Sequence, residues 1–190
     1  MEKYRGVHKG VQIFSGGTSI IHLVFAVERS LIPRNLYAGL ILALSLPDIA
    51  GWVDHPTKKS PKRYSAWFEQ FVSPAYPHKI GADRNQHKFL TGDDCYALRC
   101  SFLHEGRDMT SHQRARKVLD RFQFVAPPPS GMIHCNRSGS KLQLQVDIFC
   151  RDICDGIKDW ISSISENDSE RRGRLAGLAV IDPGCGNIRI

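Results

Sequence analysis

The sequence predicts a mainly α-helical fold, a bundle of apolar helices with a small antiparallel β-hairpin or three-stranded insertion before the last helix. Three observations carry this. Apolar residues recur at spacings of three and four in successive stretches from Thr18 to Ile164, the period of a helix face. Alternation of apolar and polar residues is confined to about 117–146. The chain has 190 residues, 42% hydrophobic and 24% charged, which is ordinary for a single domain able to bury a core. We therefore expect one helical domain over 1–167 and a loosely packed tail over 168–190.

Thr18 to Ser30 carries Ile20, Ile21, Leu23, Val24 and Val27 on one face, and Pro33 is placed to end that helix. Asn35 can cap a second helix, apolar nearly all round through Leu36, Ala38, Leu40, Ile41, Leu42 and Leu44, so it belongs in the middle of the bundle. Gly39 allows a neighbouring helix to come close. Pro47 is expected to kink or interrupt this helix, with the chain staying helical through Ile49 to Val53. His55 to Lys62, rich in Pro and Lys, reads as a loop. Arg63 to Val72 places Tyr64, Trp67, Phe68 and Phe71 on one stripe, an aromatic core face. Ser73 to Lys88 reads as a polar connector.

Leu90 to Gly106 reads as a complete short helix. Thr91 is the N-cap and Asp94 the third residue of a capping box, and Asp93 and Asp94 complement the helix dipole. Gly106 sits where a left-handed C-terminal cap belongs. At about 100° per residue, Cys95, Leu98, Phe102 and Leu103 form one stripe and Arg99 falls inside it. A guanidinium never loses its charge, so at that position it must face a partner anion, a cleft or another subunit. Arg99 is the residue to explain.

Beyond Gly106 the pattern changes. Lys117 to Val125 alternates in part, Met132 to Cys135 is strand-like, and Leu142, Leu144 and Val146 alternate with Gln143 and Gln145. These residues predict a hairpin turning through Asn136 to Ser140, with Lys117–Val125 as a third strand. Asp147 to Ile164 then predicts a final helix whose core face is Ile148, Phe149, Cys150, Ile153, Ile157, Trp160, Ile161 and Ile164. Glu166 to Ile190 has no clear periodicity.

The formal charge of +7 permits binding to a polyanion such as RNA but does not require it. Lys58, Lys59, Lys62 and Arg63 are the candidate phosphate contacts, although a solvated basic loop has the same composition. Met1 to Gly17 lacks the apolar core of a signal peptide, and Leu36–Trp52 is broken by Pro47 and Asp48 and shorter than the ~20 apolar residues of a membrane span. We expect a cytoplasmic protein with reduced thiols. The six cysteines include no Cys-x-x-Cys pair and the eight histidines no His-x-x-x-His pair, so no metal and no cofactor is expected.

Arg99-Cys100-Ser101-Phe102-Leu103-His104 is an Arg-x4-His motif, closing a well-capped helix between bundle helices. A second copy, Arg107 to His112, falls in a predicted loop. The apolar helices, Leu98-Arg99, and His104 near Gly106 resemble the HEPN superfamily (higher eukaryotes and prokaryotes nucleotide-binding domains). The stretch from Leu46-Pro47-Asp48 through Leu98-Arg99-Cys100 and Ile133-His134-Cys135-Asn136 to Trp160 also resembles a bacterial family of unassigned activity. The motif helix covers under a tenth of the chain and the broader similarity about two thirds.

The resemblance implies a typically dimeric helical bundle and a metal-independent endoribonuclease, in a defence or toxin–antitoxin setting with an antitoxin-like protein partner. It implies that Arg99 binds the scissile phosphate and that His104 moves a proton at the ribose 2′-hydroxyl or the leaving 5′-oxygen. HEPN nucleases usually carry Asn, Asp or His after the arginine. Here Cys100 stands there, and Ser101 is the nearest polar substitute. Asp48 is a candidate to orient Arg99, or simply to cap the turn after Pro47.

Residues five apart on an ideal helix point about 140° apart. A shared phosphate therefore implies either an unwound last turn or a pocket composed across a two-fold axis. The alternative is a catalytically silent HEPN-like dimerisation or interaction module. In that reading Arg99 is structural, paired with Asp48, Asp54 or Asp152, and His104 is a cap.

Overall fold

The computed structural model describes residues 18–32, 34–80, 85–88, 90–114, 117 and 119–181. It is mainly helical, with a three-stranded sheet inserted before the last helices. Helix α1 spans Thr18–Leu31 and buries Ile20, Ile21, Val24 and Val27. Pro33, expected to end it, lies outside the described residues. Helix α2 spans Leu36–Asp54 and packs on α1, α3 (Ser60–Phe71), α4 (Gly92–Glu105) and α5 (Val146–Ser163), the central position its all-round apolarity predicts. Gly39 permits the close approach of α1, because a Cβ there would lie 2.5 Å from Ser30 Oγ.

Two expectations about α2 need correction. Pro47 does not interrupt the helix, which runs unbroken for 19 residues. Pro47 is buried, and packing from three sides outweighs the one backbone hydrogen bond the ring forgoes. An unbroken α2 is also long and apolar enough to cross a membrane, contrary to the broken-segment reading; half of that window is buried inside the fold, as befits a core helix.

The Ser73–Lys88 connector holds more structure than its composition suggests. A single 3₁₀ turn, Ser73–Ala75, leads into strands β1 (Pro77–Ile80) and β2 (Asn85–Lys88), which pair antiparallel with Pro77 opposite Lys88. The stretches Pro77–Ile80 and Asn85–Lys88 have no apolar alternation, so the sequence carries no strand signal there.

The second sheet has the order β3 (Arg121–Val125), β5 (Lys141–Gln145), β4 (Asn136–Ser138). Leu142 and Leu144 point into the core, as alternation requires. Strand β3 is the third strand, but it runs parallel to β5. The hairpin is tighter than expected: Ser138 pairs with Lys141 around Gly139, whose φ is 59°, so pairing begins within the presumed turn. Met132–Cys135 is not a strand. Cys135 adopts φ 56°, which breaks the extension, and Ile133 and His134 bond Gln145 instead.

Helix α5 buries the predicted face apart from Ile148, which is half-buried. It is not the final helix. Ser169–Ala176 form α6, capped by Asp168, with Leu175 buried and Arg174 Nε donating to the Val53 carbonyl at 2.6 Å. The expected loose tail is thus a packed helix over its first part. A single apolar residue among charged neighbours is too faint a period to read.

Candidate active site

Three helices build the site. Helix α4 forms as its caps dictate: Thr91 Oγ1 accepts from the Asp94 amide at 3.1 Å, and Gly106 takes the left-handed conformation at φ 66°. Asp94 does more than close a capping box. Its buried carboxylate accepts from the Thr91 hydroxyl and from the amides of Lys117 and Leu119, at 2.7, 2.7 and 3.1 Å, tying the following loop to the start of α4. Helix α3 lies close against α2 because residue 51 is glycine. A Cβ there would stand 2.8 Å from the Arg63 carbonyl. The contact places Arg63 over Asp48.

The anion that Arg99 needs is Asp48. Arg99 Nη2 donates to Asp48 Oδ2 at 3.3 Å, while Arg63 Nε donates to Asp48 Oδ1 at 2.8 Å and the Ser60 hydroxyl lies 2.9 and 3.0 Å from the two oxygens. Asp54 and Asp152, the other candidates, are engaged elsewhere: Asp54 by Trp160 and Arg171, Asp152 by the Tyr76 hydroxyl. Asp48 lies within α2, so it does not cap a turn after Pro47.

Arg99 Nη1 stands 3.4 Å from His104 Nε2 within one chain. Neither an unwound turn nor a second subunit is needed to bring them together. The helix stays regular through Glu105, and the long arginine side chain spans the angle that Cβ directions alone would forbid. A guanidinium can only donate, so in this contact Nε2 is the acceptor.

Arg99 is loosely held. Its contacts to Asp48 and His104 are long beside the usual ~2.9–3.0 Å. The Cys100 sulfur is 4.0 Å away, and the buried Nε has no acceptor. Beneath it lies the Tyr96 ring, 5.9 Å from the guanidinium carbon, within reach of a cation–π attraction. Burial raises the Tyr96 and Tyr64 phenols above their ordinary range and pushes the Cys95 thiol up to about 12. These neighbours stay neutral. Two guanidiniums therefore share one carboxylate, a surplus of one positive charge.

The surplus faces a hollow of about 370 Å³, lined by Ser45, Asp48, Ile49, Trp52, Arg63, Arg99 and Leu178. A larger cleft of about 570 Å³, lined in part by Tyr37, Phe102, Arg107 and Phe124, includes neither Arg99 nor His104.

Other predicted site residues separate. Ser101 is buried on another face of α4, where its hydroxyl donates to the Met109 carbonyl at 2.6 Å, so it supports the loop after the helix and not Arg99. Cys100 is half-buried beside Arg99. Lys58, Lys59 and Lys62 are exposed, whereas Arg63, grouped with them, turns inward to Asp48. Arg107 and His112 both lean on Glu105, at 4.0 and 2.7 Å, which leaves that second motif bridged by a carboxylate in a loop. Ser60 and Tyr96 join the site without a motif to mark them. The signal for Ser60 is its place at the start of a helix opposite Asp48, visible only once α2 and α3 are packed.

Among the described residues, no three His, Cys, Asp or Glu side chains converge to hold a metal ion. No family model, curated protein or solved structure matches the chain. The resemblance to HEPN domains therefore rests on the residues that carry it.

Proposed function

We propose that the protein is a metal-independent endoribonuclease of HEPN type, acting in the cytoplasm of a bacterium in a defence or toxin–antitoxin setting. The observation that carries this reading is an under-coordinated guanidinium 3.4 Å from an exposed imidazole, in a locally cationic site beside an open hollow. A phosphate on Arg99 would replace long contacts with short charge-assisted ones. Drawing Nη1 onto that phosphate frees His104 Nε2 to take the proton of the ribose 2′-hydroxyl. The 2′-oxygen then attacks phosphorus, the bond to the 5′-oxygen breaks, and that oxygen leaves with a proton returned by His104. Arg99 stabilises the charge that develops on the phosphoryl oxygens. Asp48 positions Arg99, and Lys58, Lys59 and Lys62 offer further phosphate contacts.

One observation favours a second reading. Asp48 satisfies much of what a structural arginine needs, as in a catalytically silent HEPN-like dimerisation or interaction module. RNA cleavage in EDTA by Arg99→Ala and His104→Ala, with thermal melts of both, separates the two. The nuclease loses about 10²- to 10⁴-fold in rate with either variant. The silent module shows no cleavage by wild type, and only Arg99→Ala loses stability, by about 1–2 kcal/mol, because Asp48 keeps Arg63 and Ser60.

The proposal includes a homodimer and an antitoxin-like protein partner. Tyr37 and Ile41, 76% and 46% exposed on one face of α2, are the apolar surface open to a second copy. Light scattering at micromolar concentration should give twice the chain mass. A strict monomer removes the dimer while leaving the Arg99–His104 pair intact within one chain.

A further inference from the structure

Trp52 is the residue that the site's chemistry has not yet used. Trp67 and Trp160 are buried, but Trp52 is 37% exposed and stands apart from the hydrophobic core. It lies one helical turn beyond Asp48, so the two side chains share a face of α2. Its indole lines the hollow that also holds Arg99 and Arg63. Ile49 and Leu178 add apolar wall, and Ser45 completes the lining.

The lining of the hollow therefore combines an aromatic side chain and its aliphatic neighbours with a pair of guanidiniums carrying a surplus positive charge. Its volume of about 370 Å³ falls within the ~300–1,000 Å³ of small-ligand pockets. A nucleotide unit has the matching halves, a π-faced base and a phosphate. We infer that Trp52 stacks an unpaired base of the strand whose phosphate lies on Arg99, so the substrate is single-stranded RNA. This rests on the nuclease reading for the identity of the anion.

A base inside a duplex is covered on both faces by its neighbours and cannot reach a side chain set into a hollow. Stacking on an aromatic side chain is tolerant of base identity, because every base offers a π-face. Trp52 thus selects for strandedness rather than sequence. Arg99 supplies charge and Trp52 supplies shape.

The test uses the full-length protein carrying His104→Ala, which stops turnover, and a fluorescently labelled single-stranded RNA beside a hairpin of the same composition. The single strand should bind more tightly than the hairpin. Trp52→Ala should weaken single-strand binding about 10- to 100-fold, Trp52→Phe should keep most of it, and neither should move Tm appreciably, since Trp52 is outside the core. RNA should also quench the tryptophan emission that iodide reaches.

Equal binding of single strand by Trp52→Ala overturns the inference, and cleavage by wild type alongside it leaves the nuclease reading standing. Equal affinity for strand and hairpin also overturns it. Neither binding nor cleavage by wild type overturns both. Tryptophan emission that changes on dilution without RNA assigns the indole to an interface between copies and overturns the base-stacking role.

Discussion

Helix α2 carries two aspartates six residues apart, and their surroundings differ in a way that separates the candidate site from a fastening. Asp48 accepts from two guanidiniums and a serine hydroxyl beside an open hollow. Asp54 accepts from the buried Trp160 indole at 3.0 Å and from Arg171 at 3.2 Å, and Arg171 is itself shared with Asp168 at 2.6 Å. One cluster has more cations than anions, the other more anions than cations. The Asp54 cluster locks α5 and α6 to the end of α2 and has no positive charge left for an anion. The Asp48 cluster has the charge, the loose arginine and the space. Carboxylate–arginine contacts alone do not distinguish the two clusters; the balance of charge around them does.

Replacing the two aspartates should break the symmetry between them. Asp48→Ala strands two partly buried guanidiniums, and we expect a loss of about 3 kcal/mol, a fall in Tm of roughly 6–12 °C. RNA affinity at low salt should rise in the folded fraction, because the local surplus of positive charge doubles. Asp54→Ala deprives the buried indole of its acceptor and should cost about 1–3 kcal/mol without changing RNA binding. Calorimetry and a binding titration on each variant check both halves. Equal losses of stability with unchanged RNA affinity in both would erase the distinction.

The smallest effect concerns Asp168, which caps α6 and so holds the far side of the Asp54 cluster. The Arg171 amide, and then its guanidinium, keep the Asp168 carboxyl below the usual carboxylate range. A folded-state pKa below the unfolded value makes the contribution complete above the ordinary value near about 4 and lost as pH falls through the folded value. Helix α6 should therefore stay capped at neutral and mildly acid pH and fray in stronger acid, read by hydrogen exchange of its amides. Asp168→Ala should fray α6 at neutral pH and remove that acid dependence, leaving exchange around Arg99 untouched.

Much of the architecture was legible because it follows from local rules. Caps and period place α4 almost to the residue, since Thr91 and Gly106 act through their own backbone geometry. Apolar period likewise marks the buried faces of α1, α3 and α5. Where signals are weak or nonlocal, reading fails. The β1–β2 hairpin has no apolar pattern, α6 owes its place to Arg171 and Arg174 reaching α2, and the parallel sense of β3 is a matter of topology.

The candidate site divides along the same line. By itself the sequence determined that Arg99 falls in the apolar stripe of its helix and must face a partner anion, a cleft or another subunit, because desolvating a permanent cation is costly wherever the chain goes. It also placed His104 at the end of that helix. Only the tertiary structure decided that the anion is Asp48 rather than Asp54 or Asp152, that Arg63 turns inward to share it, and that Arg99 reaches His104 without a second chain. Those choices depend on how closely α3 approaches α2 at Gly51 and on the reach of long side chains. Neither is a property of any one stretch of sequence, since both arise when the helices pack.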